Sequence, residues 1–505
     1  MAEKWDESES QKDKADVNRW SGDNTLTFAT MDQTTTAQFA AFFSSLTISD
    51  IPQDIRTAAS SLLLDTLTCI HASLPTSHAQ AIKQLSTMFG GPGTASLAGS
   101  PSPVGTARAL YANARLSNLL DLDETYPVGV HFGGAAVCAA LAAAESEGKS
   151  AADMLVGIVA GYEAGARIAS AVGPMMTVRD GHVQGFSKIW GVAAPVVVAA
   201  CVAYARTAGV DATTLAQALG IACSNIPLPI GSRWSEAVDL PDCKYCDAGW
   251  CAVVGLNGVL GAQAGLTGFD DILDGEVGIP EFVAAAMPRK ECLDEQFGEM
   301  WHLADITYKP WPTCRFMHSS LSALDRLLQK HPPDPAAIDS VVIHTGPLAN
   351  SGRFRNPTPK TFCSYSFSYP HAVAMMVLGE VPGALWFDRR VADSEAALAI
   401  RAKVRVEELD GAETFAQDMV RNQMRKMPGA ATLVINGRSW TEHMEYADGD
   451  PWESQTAYSP KRVEEKFRRC LGDTQVDVDG VLSWLANIEN NPCLDPVTAF
   501  IRTNP

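Results

Sequence analysis

Residues 120–134 read LDLDETYPVGVHFGG and stand between two apolar, Ala-rich runs. The stretch carries three carboxylates, on Asp121, Asp123 and Glu124, shortly before His131. Carboxylates that are buried between helices are costly unless they are paired or used. The pattern predicts a functional site at a junction between helices, and a solvated loop between two helices is the alternative with the same composition.

A helical pattern extends outward from this stretch. Ala and Val recur at helical spacing over 151–169, 191–207 and 212–224. The alternation typical of strands is almost absent from 104 to 265. We therefore predict an all-helical domain at 34–297, packed closely because Ala and Gly let helix axes approach each other.

Strand patterns follow this region. Residues 340–345 and 402–407 have the composition of strands, and 431–442 predicts a hairpin whose turn is Asn436-Gly437. Helical segments lie between these strands. The pattern predicts a smaller α/β domain at 298–447.

The two ends of the chain differ in character. Residues 1–33 are rich in Ser, Asp and Lys, which predicts a disordered tail without the apolar core of a secretory signal. Residues 448–505 return to a helical pattern and are expected to rejoin the helical domain. The longest uninterrupted apolar runs, such as 192–203, are too short to span a membrane. The fold class is mainly α with an α+β subdomain.

Composition limits the possible partners. The net charge is −19, which disfavours nucleic acids and anionic membrane surfaces. An anionic substrate would need local positive charge, so buried Lys and Arg side chains are of particular interest. The 12 cysteines are mostly scattered through Ala-rich helical contexts, which predicts free thiols and a cytoplasmic location.

Six short motifs carry a family resemblance. They are Leu64-Asp65-Thr66-Leu67, the Asp121 to Gly134 stretch, Gly161-Tyr162-Glu163-Ala164, Gly265-Leu266-Thr267-Gly268, Pro312-Thr313-Cys314-Arg315-Phe316-Met317-His318 and Tyr365-Ser366-Phe367-Ser368-Tyr369. In this order they resemble the MmgE/PrpD family, which contains 2-methylcitrate dehydratases and cis-aconitate decarboxylases. The resemblance covers roughly residues 36 to 490.

The resemblance implies a fold and an activity. The fold is a large helical domain with a smaller α/β lid, and the helical domain forms a homodimer. The activity is that of a cofactor-independent lyase acting on a citrate-like polycarboxylic acid, with dehydration favoured. Decarboxylation of the cis-aconitate type and isomerisation or epimerisation are alternatives, and a catalytically silent protein that binds small acids is the alternative from another class.

Cofactor motifs are weak in this chain. Cys243 and Cys246 form a single CxxC without a second pair at suitable spacing, so we predict no zinc site. The glycines at 90–93 do not follow a strand, so a dinucleotide fingerprint is unsupported. No cofactor and no metal are predicted.

Four residues of the helical domain are assigned from the resemblance. His131 is the leading acid/base residue, and Asp121 is its partner. Thr125 would hold the substrate by a hydrogen bond. Lys244, followed five positions later by Gly249, would neutralise a substrate carboxylate. Without the resemblance, a solvated lysine is the better interpretation of Lys244.

Residues of the lid would complete the cleft. The resemblance implies that Tyr369 and His318 face the substrate, although His318 alone is typical of a core or surface histidine. Arg315 is ranked above Arg353 and Arg355 as a carboxylate clamp.

One position departs from the family pattern. The family usually carries a histidine where this chain has Ser187, in Gly185-Phe186-Ser187. His182 is the imidazole that could replace it in binding the substrate.

Overall fold

The computed structural model describes residues 34–179, 182–283, 288–412, 423–472 and 477–504, without the side chains of 177–179, 182–184 and 277. The predicted tail at 1–33 lies outside these ranges. In chain order the helices and strands are α1 (Thr35–Ser45), α2 (Gln53–Ser73), α3 (Ser77–Leu85), β1 (Pro92–Ala95), α4 (Thr106–Ser117), α5 (Gly133–Glu147), α6 (Ala151–Val172), β2 (Met176–Arg179), β3 (His182–Phe186), α7 (Ala193–Ala208), α8 (Ala212–Cys223), α9 (Gly231–Glu236), α10 (Ala248–Gln263), α11 (Ile279–Val283), α12 (His318–Lys330), β4 (Ile338–Thr345), α13 (Phe362–Tyr365), α14 (Tyr369–Val377), α15 (Arg389–Ala392), α16 (Glu395–Arg401), β5 (Val404–Glu408), β6 (Gly429–Ile435), β7 (Arg438–Met444), α17 (Pro460–Leu471), α18 (Val478–Leu485) and α19 (Asp495–Arg502). The chain is mainly helical with a small mixed sheet, which confirms that part of the prediction.

The core of the helical part is α6, which packs against α5 and α7. Helix α6 begins at a capping box in which Ser150 and Asp153 each accept a backbone hydrogen bond of the other. A Cβ on Gly161 would lie 2.6 Å from the carbonyl oxygen of Ala199, so glycine is required for this close contact between α6 and α7. The small residues seen in the sequence therefore set the spacing of the central helices.

The sheet of the α/β part has the strand order β5-β4-β6-β7. Strand β4 is parallel to β5 and antiparallel to β6. The hairpin of β6 and β7 turns at Asn436 and Gly437, which both have positive φ as a type I′ turn requires. The predicted hairpin is confirmed, and the domain boundary at residue 298 stays a prediction.

Two features of the helical part differ from the predictions. The region from 34 to 297 is not all-helical, because β2 and β3 form an antiparallel hairpin. Helix α6 is long and apolar enough to cross a membrane by length and composition, although Asp153, Glu163 and Arg167 interrupt its apolar sequence. Its apolar window is wholly buried inside the protein.

Long-range contacts surround the loop between α4 and α5. The backbone of Thr125 forms two hydrogen bonds with that of Thr307, of 2.9 and 3.1 Å. Helix α17 packs on α2, and Lys466 reaches through this contact to Asp65 at 2.5 Å and to the carbonyl of Leu122 at 2.8 Å. The loop at 118–132 is thereby fixed by segments that lie far away in the sequence.

Candidate active site

Asp121 and Lys244 share an unusual backbone conformation. Their φ angles are +56° and +53°, a left-handed conformation that is costly for residues other than glycine. Both side chains are buried, and the Lys244 ammonium lies 3.9 Å from Oδ1 of Asp121. The backbone is therefore strained where two predicted site residues meet.

The Asp121 carboxylate is surrounded by cationic side chains. Lys309 Nζ donates a 2.9 Å hydrogen bond to Oδ1 of Asp121, and Nε2 of His131 lies 3.7 Å from the same oxygen. Burial alone would raise the pKa of Asp121, but Lys309, Lys244 and His131 outweigh it and hold the pKa well below the usual range. Asp121 is thus an ionised anchor for this group.

His131 has a defined orientation. Its Nδ1 lies 2.7 Å from the carbonyl oxygen of Glu124, and a carbonyl can only accept, so Nδ1 carries the proton. Nε2 is then a proton acceptor in the neutral ring and a proton donor in the imidazolium. Nε2 lies 3.7 Å from Asp121 and Nδ1 lies 3.4 Å from Asp123, so a carboxylate stands beside each ring nitrogen. The ring of Tyr245 stacks on His131 with 5.8 Å between centroids.

Glu124 is a buried carboxyl group to which the sequence-based prediction gave no role of its own. Its Oε1 accepts hydrogen bonds from the backbone N–H groups of Phe132 and Gly133, at the start of α5, and Oε2 has no hydrogen-bond partner among the described residues. Burial, followed by the neighbouring Asp123 carboxylate, raises the pKa of Glu124 to about 8. Glu124 is therefore largely protonated at neutral pH.

The Glu124→Gln variant is expected to change how stability depends on pH. The folded pKa is about 8 and the unfolded pKa is about 4.3, so folding takes up a proton here and stability falls as pH rises through this window. The free energy of unfolding of the wild type should fall with pH by up to about 1.4 kcal/mol per pH unit between about pH 5 and pH 8. E124Q should lack this part of the pH dependence. Urea unfolding at several pH values measures this slope. The surface variant Glu464→Gln should keep the wild-type slope, and an unchanged slope in E124Q would contradict the assignment.

A cavity opens beside His131. Its volume is about 520 Å³ when the open solvent at its mouth is included. Asp121, Thr125, His131, Arg315 and Arg353 line it together with Tyr245, and most of the remaining described lining is aromatic or aliphatic. The hydroxyl of Thr125 is buried without a hydrogen-bond partner among the described residues, so it is free to bond a ligand.

Lys244 faces a different cavity. It lines a neighbouring space of about 850 Å³ together with Arg115 and Asn118, and its ammonium donates to the backbone and side-chain oxygens of Asn118 at 2.5 and 3.1 Å. His131 and Lys244 therefore meet at Asp121 but do not line a shared cavity. Lys244 helps to lower the pKa of Asp121, which lines the His131 cavity.

The two lid arginines differ in their partners. Arg315 forms a buried ion pair with Asp450. Arg353 donates to the carbonyl oxygens of Trp234 and Ser235 at 3.0 and 2.8 Å, and none of the described carboxylates lies within 4.0 Å of it. Both line the cavity: Arg353 has no carboxylate partner among the described residues, and Nη1 of Arg315 is buried without a hydrogen-bond partner there, so the order predicted from the sequence stays a prediction. The third candidate, Arg355, is exposed and is bonded to the side chain of Asn350.

Other predicted site residues lie elsewhere. Tyr369 is fully buried and donates to the hydroxyl of Thr345 at 2.9 Å, and His318 bonds to Thr313 at 2.9 Å. The structure brings neither side chain to the described lining of the cavity. The side chain of His182 lies outside the described part of the chain. The segment that carries Ser187 contributes its neighbours Phe186 and Trp190 to the cavity.

Lys309 is the main site residue that the sequence prediction missed. Its side chain is completely buried, 2.9 Å from Asp121 and 3.9 Å from Asp123. The available signal was a single cation in the otherwise uncharged stretch 306–313, ITYKPWPT. That signal becomes specific only with the pairing of Thr125 and Thr307, which brings Lys309 to the acidic loop.

Three possible metal ligands also meet here. One ligand atom each from Asp121, Asp123 and His131 lies within 4.8 Å of the others. The ammonium of Lys309 already lies against both carboxylates and would repel a divalent cation. The donor set therefore fits paired charges better than a metal.

Comparisons with known proteins identify the matching family. The model of the MmgE/PrpD N-terminal domain matches residues 37–290, and that of the MmgE/PrpD C-terminal domain matches residues 311–479. A cis-aconitate decarboxylase of Aspergillus terreus (strain NIH 2624) is 25% identical over 309 residues, which cover 59% of this chain and 61% of that protein. The cis-aconitate decarboxylase-like protein oryM of Aspergillus oryzae (strain RIB 40) is 27% identical over 334 residues, which cover 63% of this chain and 66% of that protein. The chain thus spans slightly less than two thirds of the curated relatives it matches.

Proposed function

Because this chain belongs to the MmgE/PrpD family, we propose that it is a cofactor-independent lyase that decarboxylates an acid similar to cis-aconitate. The observation that carries the proposal is the arrangement of His131 and Arg353 in one cavity. One group can transfer a proton and the other can hold a carboxylate. The names of the matched relatives favour the same reaction.

The proposed reaction uses one proton donor. The carbon–carbon bond to a substrate carboxylate breaks, carbon dioxide leaves, and the electron pair is delocalised over the neighbouring double bond and carboxylate. The imidazolium of His131 then gives its Nε2 proton to carbon, and a C–H bond forms. Asp121 stabilises the imidazolium, and Arg353 holds a carboxylate that stays on the substrate.

Dehydration, which the sequence favoured, has greater requirements. It needs an acid for the leaving hydroxyl and a base for the C–H proton. Among the described lining residues His131 is the one imidazole, and the lowered pKa makes Asp121 a weak base. The described groups therefore suit decarboxylation better.

Product analysis by NMR in deuterated water separates these reactions. Purified protein is incubated with cis-aconitate, citrate and 2-methylcitrate in parallel. The proposal expects carbon dioxide and a product with one new C–D bond from cis-aconitate. Loss of water from a citrate without carbon dioxide would establish dehydration instead, and deuterium exchange alone would indicate isomerase chemistry.

Replacing Arg353 by methionine is expected to weaken substrate binding. A charge-assisted hydrogen bond to a carboxylate contributes roughly 2–3 kcal/mol, so kcat/KM should fall about 30- to 150-fold, mainly through KM. The kcat/KM of Arg353→Lys should lie between those of the wild type and R353M, because lysine keeps the charge but cannot form the bidentate contact. Arg355→Met is the matched control and should retain wild-type kinetics. Equal kinetics for R353M and R355M would remove Arg353 from the site.

The homodimer stays a prediction, and one helix face would suit it. Along α10 the residues that point outward follow a three- and four-residue spacing, and Trp250 and Leu260 among them are 44% and 45% exposed. Leu266 and Phe269, directly after the helix, are 63% and 65% exposed. These exposed apolar side chains, with the polar Asn257 between Trp250 and Leu260, suit contact with a second copy of the chain.

A further inference from the structure

The side-chain amide of Asn118 lies between Lys244 and the acidic loop. Asn118 is buried at the end of α4, where its Oδ1 accepts a 3.1 Å hydrogen bond from Lys244 and its Nδ2 donates a 2.9 Å hydrogen bond to Oδ2 of Asp123. Asn118 lines the Lys244 cavity and is not among the described lining residues of the His131 cavity. It therefore acts, if at all, on the His131 cavity through its neighbours.

The orientation of this amide follows from its two partners. An ammonium can only donate, so the amide oxygen faces Lys244, and an ionised carboxylate can only accept, so the amide nitrogen faces Asp123. Burial alone would raise the pKa of Asp123, but His131 and two nearby lysines outweigh it and lower the pKa to about 2. Asp123 is thus ionised at neutral pH, and the opposite orientation of the amide would leave both contacts unmatched.

Lys244 is itself held at the end of α4. Its ammonium also donates at 2.5 Å to the backbone carbonyl oxygen of Asn118, which is the C-cap residue of that helix. The last carbonyl groups of a helix lack partners within the helix and carry partial negative charge, so a cation is stabilised there. Two contacts with one residue therefore fix the Lys244 ammonium against the oxygen of the Asn118 amide.

One oxygen of Asp123 faces both Asn118 and His131. This oxygen, Oδ2, accepts the hydrogen bond from the Asn118 amide and lies 3.4 Å from Nδ1 of His131. The other oxygen, Oδ1, has no hydrogen-bond partner among the described residues and lies 3.9 Å from the Lys309 ammonium. Without the amide, attraction to Lys309 would turn the carboxylate away from Nδ1. The Asn118 amide opposes this rotation.

We propose that Asn118 is a positioning residue for proton transfer at His131. It keeps the Asp123 carboxylate beside the Nδ1–H group, so this proton stays on Nδ1 and Nε2 is the atom that exchanges a proton with the substrate. The role in the reaction rests on the proposed function, whereas the chain of contacts from Lys244 through Asn118 to Asp123 rests on the distances.

The Asn118→Leu variant removes the amide and keeps a side chain of similar size. The kcat of N118L with the best acid found by NMR should fall about 10- to 100-fold, because a small misplacement of a catalytic group is this costly. KM should stay within about twofold of the wild type, because Asn118 is not among the described lining residues of the His131 cavity. Unchanged kcat, or a loss through KM alone, would overturn the proposal.

Asn113→Leu is the matched control. Asn113 is also a buried asparagine of α4, but its amide bonds the backbone of Ser96 and Ala98, at 2.8 and 3.0 Å, and none of the predicted site residues. N113L should lose stability and keep the wild-type kcat. If N118L does not fold, Asn118→Asp replaces it with Asn113→Asp as its control, because aspartate keeps the amide oxygen and replaces the donor by an acceptor. An equal loss of kcat in both members of a pair would contradict a positioning role.

Exchange of the His131 Nδ1 proton with water separates this inference from the proposed function. Its NMR signal in the protein without substrate is identified by its loss in His131→Gln. The proton should exchange about tenfold faster in the Asn118 variant than in the wild type and the Asn113 control, because it loses a charged acceptor. Unchanged exchange overturns the inference whatever the kinetics. If exchange is faster and no acid turns over, the contact chain stands and the lyase proposal fails. If cis-aconitate is decarboxylated and the variant matches the wild type in kcat and exchange, the lyase proposal stands and the positioning role fails.

Discussion

The His131→Gln variant is expected to lose activity by about 10²- to 10⁴-fold in kcat, the usual contribution of a positioned acid or base. The His131 Nδ1 proton is held by the carbonyl of Glu124, so Nε2 is the atom that exchanges a proton with the substrate. Glutamine has a similar shape but cannot supply a proton near neutral pH. Steady-state kinetics with the best acid found by NMR measures the loss.

The control for this variant is an exposed histidine. His443→Gln, on β7, should keep full activity. H131Q should also retain the wild-type unfolding midpoint within a few degrees, since the change keeps the packing volume. Near-normal kcat in folded H131Q would remove His131 from the mechanism.

The Lys309→Met variant is expected to lose stability strongly. Lys309 is completely buried and donates to Asp121, so its removal leaves a buried carboxylate without its nearest cation. Breaking one partner of a buried ion pair costs about 3–5 kcal/mol. Urea unfolding should show this decrease in the free energy of unfolding.

A double variant tests the cause of this loss. Asp121→Asn removes the charge that Lys309 neutralises, so the double variant should be less destabilised than the sum of the two single variants. Lys360→Met is the surface control, because the Lys360 side chain is 79% exposed and its ammonium lies 3.9 Å from Asp239. That control should change stability by less than about 1 kcal/mol. If the double variant loses as much free energy of unfolding as Asp121→Asn and Lys309→Met lose together, the pairing of Lys309 with Asp121 is contradicted.

Local pattern was enough to predict part of the site. Asp121 and His131 lie in one short stretch, and Glu124 closes that stretch by accepting hydrogen bonds from His131 and from the backbone N–H groups of Phe132 and Gly133. The type I′ hairpin of the sheet was equally predictable, because the Asn-Gly turn is a local signal. Features that depend on a few neighbouring residues could therefore be predicted from the sequence.

Long-range contacts set the rest. Lys309 reaches Asp121 only through pairing of the chain at Thr125 and Thr307, which no local pattern indicates. The resemblance placed Tyr369 in the cleft, but in this chain its hydroxyl is bonded to Thr345. The β2–β3 hairpin was missed because both strands are short, of four and five residues, and lie between long helices.

Binding of a non-reacting acid tests the central claim most directly. A crystal structure with propane-1,2,3-tricarboxylate would show which of the two cavities beside Asp121 is the active site. The proposed function predicts one carboxylate within about 3.2 Å of the Arg353 guanidinium and Nε2 of His131 facing the carbon skeleton. An acid bound instead beside Lys244 and Arg115, with the His131 cavity empty, would contradict it.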